Sequence, residues 1–132
     1  MRKLVLVIFV VFLSTACEDQ RVNQAIDKIS RTWTVYKYEK DGIDITPVFT
    51  SNYVGYTILF EQSMDFTENF TLFGTPVTIT GIYIFSDQAQ ILTLSDEFQS
   101  RVFDIITLNN SDMTLQDLNA DSTEVYYFEA VI

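Results

Sequence analysis

The chain has 132 residues, almost half of them apolar, with 18 acidic side chains against 8 basic ones, a net charge of −10 and no histidine. That balance argues against nucleic-acid binding, which depends on clustered Lys and Arg, and the missing histidine removes the commonest general base and the commonest metal ligand. A single cysteine leaves no partner for a disulfide within the chain.

The first residues run in the order of an export signal: the basic Arg2 and Lys3, the apolar stretch Leu4–Leu13, then the small residues Ser14, Thr15 and Ala16. A stretch of 10 residues is no spanning helix, because at about 1.5 Å per residue it covers only about half of a hydrocarbon core roughly 30 Å thick. The segment Leu13-Ser14-Thr15-Ala16-Cys17 resembles the lipobox of bacterial lipoproteins. That resemblance implies a signal peptide over 1–16, cleavage after Ala16, and a mature chain that begins at an acylated Cys17. It also supplies a reason for an unpaired cysteine in an exported protein. The implied diacylglycerol and amide-linked palmitate anchor firmly, since each buried methylene contributes about 0.8 kcal/mol and a single chain alone holds only marginally. Glu18 and Asp19 resemble the surface-export signal of some Gram-negative lineages, which implies the outer leaflet of the outer membrane, with a periplasm-facing position as the alternative. Loss of Arg2 and Lys3 leaves 6 bases against 18 acids, a net charge of −12. Such a chain is not drawn to an anionic lipid surface by charge, so the lipid does the anchoring.

Residues 17–23 read as a solvated tether and 24–132 as one domain. Val22, Ala25, Ile26 and Ile29 have the spacing of a short amphipathic helix over Val22–Arg31, a lid or plug for the strands after it. From Thr32 the period changes to two, and eight strands are predicted: Thr32–Tyr38, Tyr53–Glu61, Asp65–Phe73, Pro76–Phe85, Ile91–Leu94, Arg101–Leu108, Thr114–Asp117 and Glu124–Val131. The segments between them carry Asp41-Gly42, Gly74-Thr75-Pro76, Asn109-Asn110-Ser111-Asp112 and similar turn chemistry. The fold predicted is all-β: an up-and-down antiparallel barrel of about eight strands with a short N-terminal helix, closed so that no strand edge is left free. Parity places Tyr126 and Phe128 inward, because Glu129 is unsuited to the core. Val77, Ile79, Tyr83 and Phe85 share a face with Gly81, whose missing side chain permits a sharp coil.

These segments together resemble the lipocalin-like domains of bacterial lipoproteins. The likeness begins at Ile29-Ser30-Arg31-Thr32-Trp33 and runs through Asp41-Gly42-Ile43-Asp44-Ile45-Thr46, Tyr56-Thr57-Ile58-Leu59-Phe60 and Gly81-Ile82-Tyr83. It continues with Leu92-Thr93-Leu94, Phe103-Asp104-Ile105, Met113-Thr114-Leu115 and Tyr126-Tyr127-Phe128-Glu129. Two positions depart from the pattern. Arg31 stands where the family has glycine, and no arginine near the C-terminus is placed to cap the tryptophan. Trp33 is read as a plug at the closed end of the barrel.

The inward set is then Tyr36, Tyr56, Phe60, Phe66, Tyr83, Phe85, Phe103, Tyr126 and Phe128, the candidate lining for a small apolar or amphipathic ligand. Such bulky residues either leave a pocket or fill the barrel. A filled barrel points instead to a structural or interaction protein that offers the acidic loops Asp41–Phe49 and Asp117–Glu124 to an envelope partner. An interior space of roughly 300 Å³ or more favours the ligand. No catalytic residue, cofactor or metal is assigned. Carboxylate pairs such as Asp96-Glu97 read as solvated turns, and Asp117, Asn119, Asp121 and Glu124 lack the glycine of a calcium loop.

Overall fold

The computed structural model describes residues 19–132. The signal peptide expected over 1–16, the cleavage point at Ala16 and the acylation site at Cys17 lie outside the described residues. Helix α1 covers residues 19–29, so 19–23, expected as tether, are helical. The predicted stripe is what it buries: Ala25 and Ile29 are in the core, with Val22 and Ile26 packed against it. The helix extends about one turn ahead of its first apolar residue. It stops before Arg31, and the Ser30 N–H and hydroxyl both donate to the Ile26 carbonyl, at 3.0 and 2.5 Å, closing the last turn.

The rest of the chain, apart from one short helix, builds one nine-stranded sheet: β1 Thr32–Lys40, β2 Ile43–Asp44, β3 Val54–Phe60, β4 Asp65–Leu72, β5 Thr75–Ser86, β6 Ile91–Asp96, β7 Ser100–Leu108, β8 Asp112–Asp117 and β9 Glu124–Ala130. Eight of these strands, all but β2, pair antiparallel in chain order, and β1 pairs with β9 to close an up-and-down barrel. The register of closure runs from Trp33 opposite Ala130 to Lys40 opposite Glu124. The predicted strands fall on the observed ones to within about two residues, the usual scatter of strand ends.

Two elements inside Asp41–Phe49 and just beyond it are additions to the predicted set. Asp41 and Gly42 take φ of 52° and 78°, the left-handed pair of a two-residue hairpin. They fold β2 back on β1, with Ile43 opposite Lys40. The Asp44 Oδ1 then accepts the Thr46 N–H at 2.9 Å, and helix α2, Thr46–Asn52, starts with Pro47 in its first turn, where a missing N–H costs nothing.

One end of the barrel, where β1, β4, β6 and β8 begin, is filled. Trp33, Tyr83 and Leu92 have no exposed surface, and Ile58, Phe60, Phe66 and Met113 have almost none. α1 lies across this end. Its last residue, Ile29, is itself fully buried and its carbonyl accepts the Trp33 indole N–H at 2.9 Å. The same carbonyl accepts the Arg31 N–H at 2.7 Å, so the indole uses its second lone pair, and the buried N–H of the plug is paired without a capping arginine. Arg31 is not among the residues with positive φ. Its guanidinium reaches the Asn110 carbonyl at 2.5 Å, tying α1 to the β7–β8 turn. At Gly81 a neighbouring strand approaches too closely for a side chain: a Cβ there would lie 2.1 Å from the Ser95 carbonyl oxygen and 2.8 Å from Phe66.

Candidate functional site

β1, β4, β6 and β8 end, and β3, β5, β7 and β9 begin, at the opposite end of the barrel, and the same alternation that fills one half leaves the other hollow. A cavity of about 470 Å³ opens there, within the range of small-molecule sites and above the volume that favours a ligand. Of the nine residues expected to line it, Tyr56, Phe60, Phe103, Tyr126 and Phe128 do so. Phe66, Tyr83 and Phe85 point inward but are packed into the filled half, at most 6% exposed. Tyr36 is a correction. It is 47% exposed and lies outside the barrel against Tyr127, ring centroids 6.2 Å apart. The cause is a bulge: β1 skips from Val35 opposite Phe128 to Lys37 opposite Tyr127, so Tyr36 is the extra residue and inward facing passes from Val35 to Tyr38.

α2 drops Phe49 into the mouth. This side chain is 7% exposed, and its ring sits 4.9 Å from Tyr53, 5.4 Å from Tyr56, 5.7 Å from Tyr38 and 6.0 Å from Tyr126. Several of these contacts are tilted or edge-on, the arrangements favoured by ring quadrupoles. Aromatic rings thus crowd one side of the mouth, while Leu72 and Val77, flanking the β4–β5 turn, also line the cavity. Around its outer rim stand Phe73 and Phe98, each 88% exposed, the first in a left-handed conformation at φ 49° in the β4–β5 turn.

Set into the cavity wall is an ion cluster that sequence reasoning missed. Glu68 is 2% exposed. Its Oε2 accepts the Tyr56 hydroxyl at 2.5 Å and the Arg101 Nη1 at 3.2 Å, while its Oε1 pairs with Arg101 Nη2. Asp96 Oδ2 lies 3.9 Å from the same guanidinium, and the guanidinium lies 5.8 Å from the centre of the Phe66 ring. Asp96 also accepts the Phe98 N–H at 2.8 Å and the Gln99 N–H at 3.2 Å through Oδ1, which shapes the β6–β7 turn. The signal for this cluster was present: Glu68 shares its parity with Phe66 and Phe70, and Arg101 with Phe103, so both charges fall on the inward face.

The surroundings shift several ionisations. Burial, with the charge and hydrogen bond of Glu68, raises the Tyr56 hydroxyl well above its ordinary value. Burial works against the charge on Arg101, but the Glu68 contacts outweigh it and hold the guanidinium's proton more tightly. Burial and the nearby Glu124 carboxylate push Tyr126 up to about 12. Tyr38, buried and donating to Glu124 Oε1, is raised as well.

The geometry can bind an apolar body among rings and orient a polar group against a preformed cluster. Among the described residues no group of three or more His, Cys, Asp or Glu side chains is arranged to hold a metal ion. Compared with known protein families and with curated proteins, the chain matches none.

Proposed function

We propose that this chain is a lipid-anchored, lipocalin-like envelope lipoprotein whose barrel takes a small apolar or amphipathic ligand through its mouth. The observation that supports it most is the cavity of about 470 Å³, walled by Phe49, Tyr53, Tyr56, Phe103 and Tyr126, in a barrel whose other half is packed solid. A residue set with no more room than its own side chains need would have left no such space. No catalytic role is assigned, since Glu68 is engaged by Arg101 and Tyr56 and Asp96 caps a turn.

The anchor adds an orientation. The first described residue, Asp19, already belongs to α1, which lies across the filled end. An acyl chain on Cys17 therefore puts that end toward the membrane and the mouth away from it, and an acidic surface keeps the domain clear of anionic lipid. The exposed Phe73 and Phe98 favour a second reading of the same end, in which an envelope partner meets the rim.

Native mass spectrometry of residues 19–132 purified without detergent tests the ligand: a co-purifying small molecule, or displacement of a bound lipophilic dye by candidate ligands, is expected. A domain that stays empty against a broad apolar panel contradicts the reading. For the anchor, Cys17→Ser is expected to abolish palmitate labelling and membrane association, and protease accessibility on intact cells separates the outer surface from a periplasmic position.

A further inference from the structure

The charges on the inner wall set what sort of head group a ligand carries. On each strand parity fixes the inward residues, and the charged ones are Glu68 in line with Phe66, Asp96 with Leu92 and Leu94, Asp117 with Met113 and Leu115, and Glu124 with Tyr126 and Phe128. Against these four carboxylates stand two bases. Arg101, on the wall, is already shared by Glu68 and Asp96. Lys40 is exposed at the rim, opposite Glu124 across the β1–β9 seam, and forms no ion pair among the described residues. Glu68, Asp117 and Arg101 line the cavity itself, Asp96 stands behind Arg101 and Glu124 and Lys40 lie at the rim, so the charges in and around the cavity sum to two more negative than positive.

The Asp96 side chain is 3% exposed, and its buried Oδ2 has no hydrogen-bond partner, so Arg101 is over-supplied with anions rather than free to receive another. The cavity mouth is lined by Phe49, Tyr53, Tyr56 and Tyr126, whose ring faces attract cations and repel anions. Asp117, also on the cavity wall, accepts the Asn119 N–H through its Oδ1 at 2.7 Å and has no basic side chain paired with it among the described residues. The unmet donor on this wall, Arg101 Nε, is satisfied by a neutral oxygen without adding charge.

Resting on the ligand-binding reading above, we infer that the cavity selects an organic cation, an amine or quaternary ammonium carried on an apolar body, and rejects a carboxylate or sulfate of the same shape. In a partly desolvated site the Coulomb energy of two unbalanced charges is large enough to separate such ligands by at least about tenfold in affinity.

The test is a calorimetric titration of residues 19–132, which contain the whole closed sheet, with three probes of one chain length: nonyltrimethylammonium, nonanoate and nonan-1-ol, each below its micellar concentration. The ammonium is expected to bind at least about tenfold more tightly than nonanoate, with the alcohol between them. The near-isosteric Asp117→Asn/Glu124→Gln pair is expected to shrink that gap to within about threefold, with thermal melting confirming the fold. If that pair fails to fold, the three-probe comparison on the unaltered chain decides alone. Binding of the alcohol with nonanoate equal to or tighter than the ammonium overturns the charge inference and leaves ligand binding standing. Failure of all three to bind overturns both.

Discussion

The two halves of the barrel are built from the same strands and the same alternation, yet they solve opposite problems. Below Phe66, side chains meet across the axis: Trp33, Tyr83, Leu92 and Met113 are at most 1% exposed, and an edge-on pair, Phe60 and Tyr83, sits at 5.1 Å. Above it the wall residues stop short of one another, the inner face carries the Glu68–Arg101 pair among its rings, and α2 narrows the mouth with Phe49 without filling the space beneath. Alternation therefore specifies a barrel, while the sizes at particular inward positions decide whether it is a core or a container.

The largest expected effect comes from removing the plug. Trp33→Ala is expected to cost about 3–5 kcal/mol in urea unfolding, because the rigid surroundings cannot collapse into the space. Phe49→Ala, the corresponding ring at the mouth, is expected to cost under about 2 kcal/mol, since its neighbours already face open space. Equal losses would erase the contrast between the halves. Next, Arg101→Met strands Glu68 and is expected to cost about 3 kcal/mol, and adding Glu68→Leu is expected to recover most of it. A double variant as unstable as the single one would show that the cluster is tied into the fold by more than its own charges.

Gly81→Ala probes the close approach of β5 and β6. With the Ser95 backbone oxygen in the way, a loss of about 1–3 kcal/mol is expected, whereas Gly55→Ala, with nothing within 4 Å but φ of 66°, incurs only the strain of a left-handed residue, about 1–2 kcal/mol. The smallest effect is on pH dependence. Tyr126 is raised in the folded state, so its contribution is intact below its ordinary value near 10 and is lost as pH climbs toward about 12. Tyr126→Phe is expected to flatten that alkaline loss of stability, read as the thermal midpoint between about pH 9 and about pH 12, while leaving neutral pH little changed.

Much of this was legible in the residues. Inward alternation placed all eight barrel strands, and Asp41-Gly42 marked a turn, although the two-residue strand that returns from it is too short to show a period. Tyr36 was misplaced because a bulge adds a residue without changing the local pattern, so parity counted from either side of it disagrees. α2 was hidden because Thr46-Pro47-Val48-Phe49-Thr50-Ser51-Asn52 has one buried residue and a turn-like composition; tertiary packing of Phe49 and the bond from the Thr46 N–H to the Asp44 side chain hold it. Glu68 and Arg101 sat on inward positions between aromatics and were readable as a buried pair. The cavity was not, since its volume depends on how far side chains from eight strands reach across the axis, a sum that no single strand reveals.

The central claim, that the mouth half is a container, is tested most directly by filling it. Ile79 lines the cavity and is only partly buried, so Ile79→Trp is expected to be accommodated there. The account predicts that a lipophilic dye binding residues 19–132 with one-to-one stoichiometry loses that binding in the filled variant, while the urea midpoint stays the same or rises. Dye binding that survives the filling, or a variant that unfolds as an overpacked core would, contradicts it.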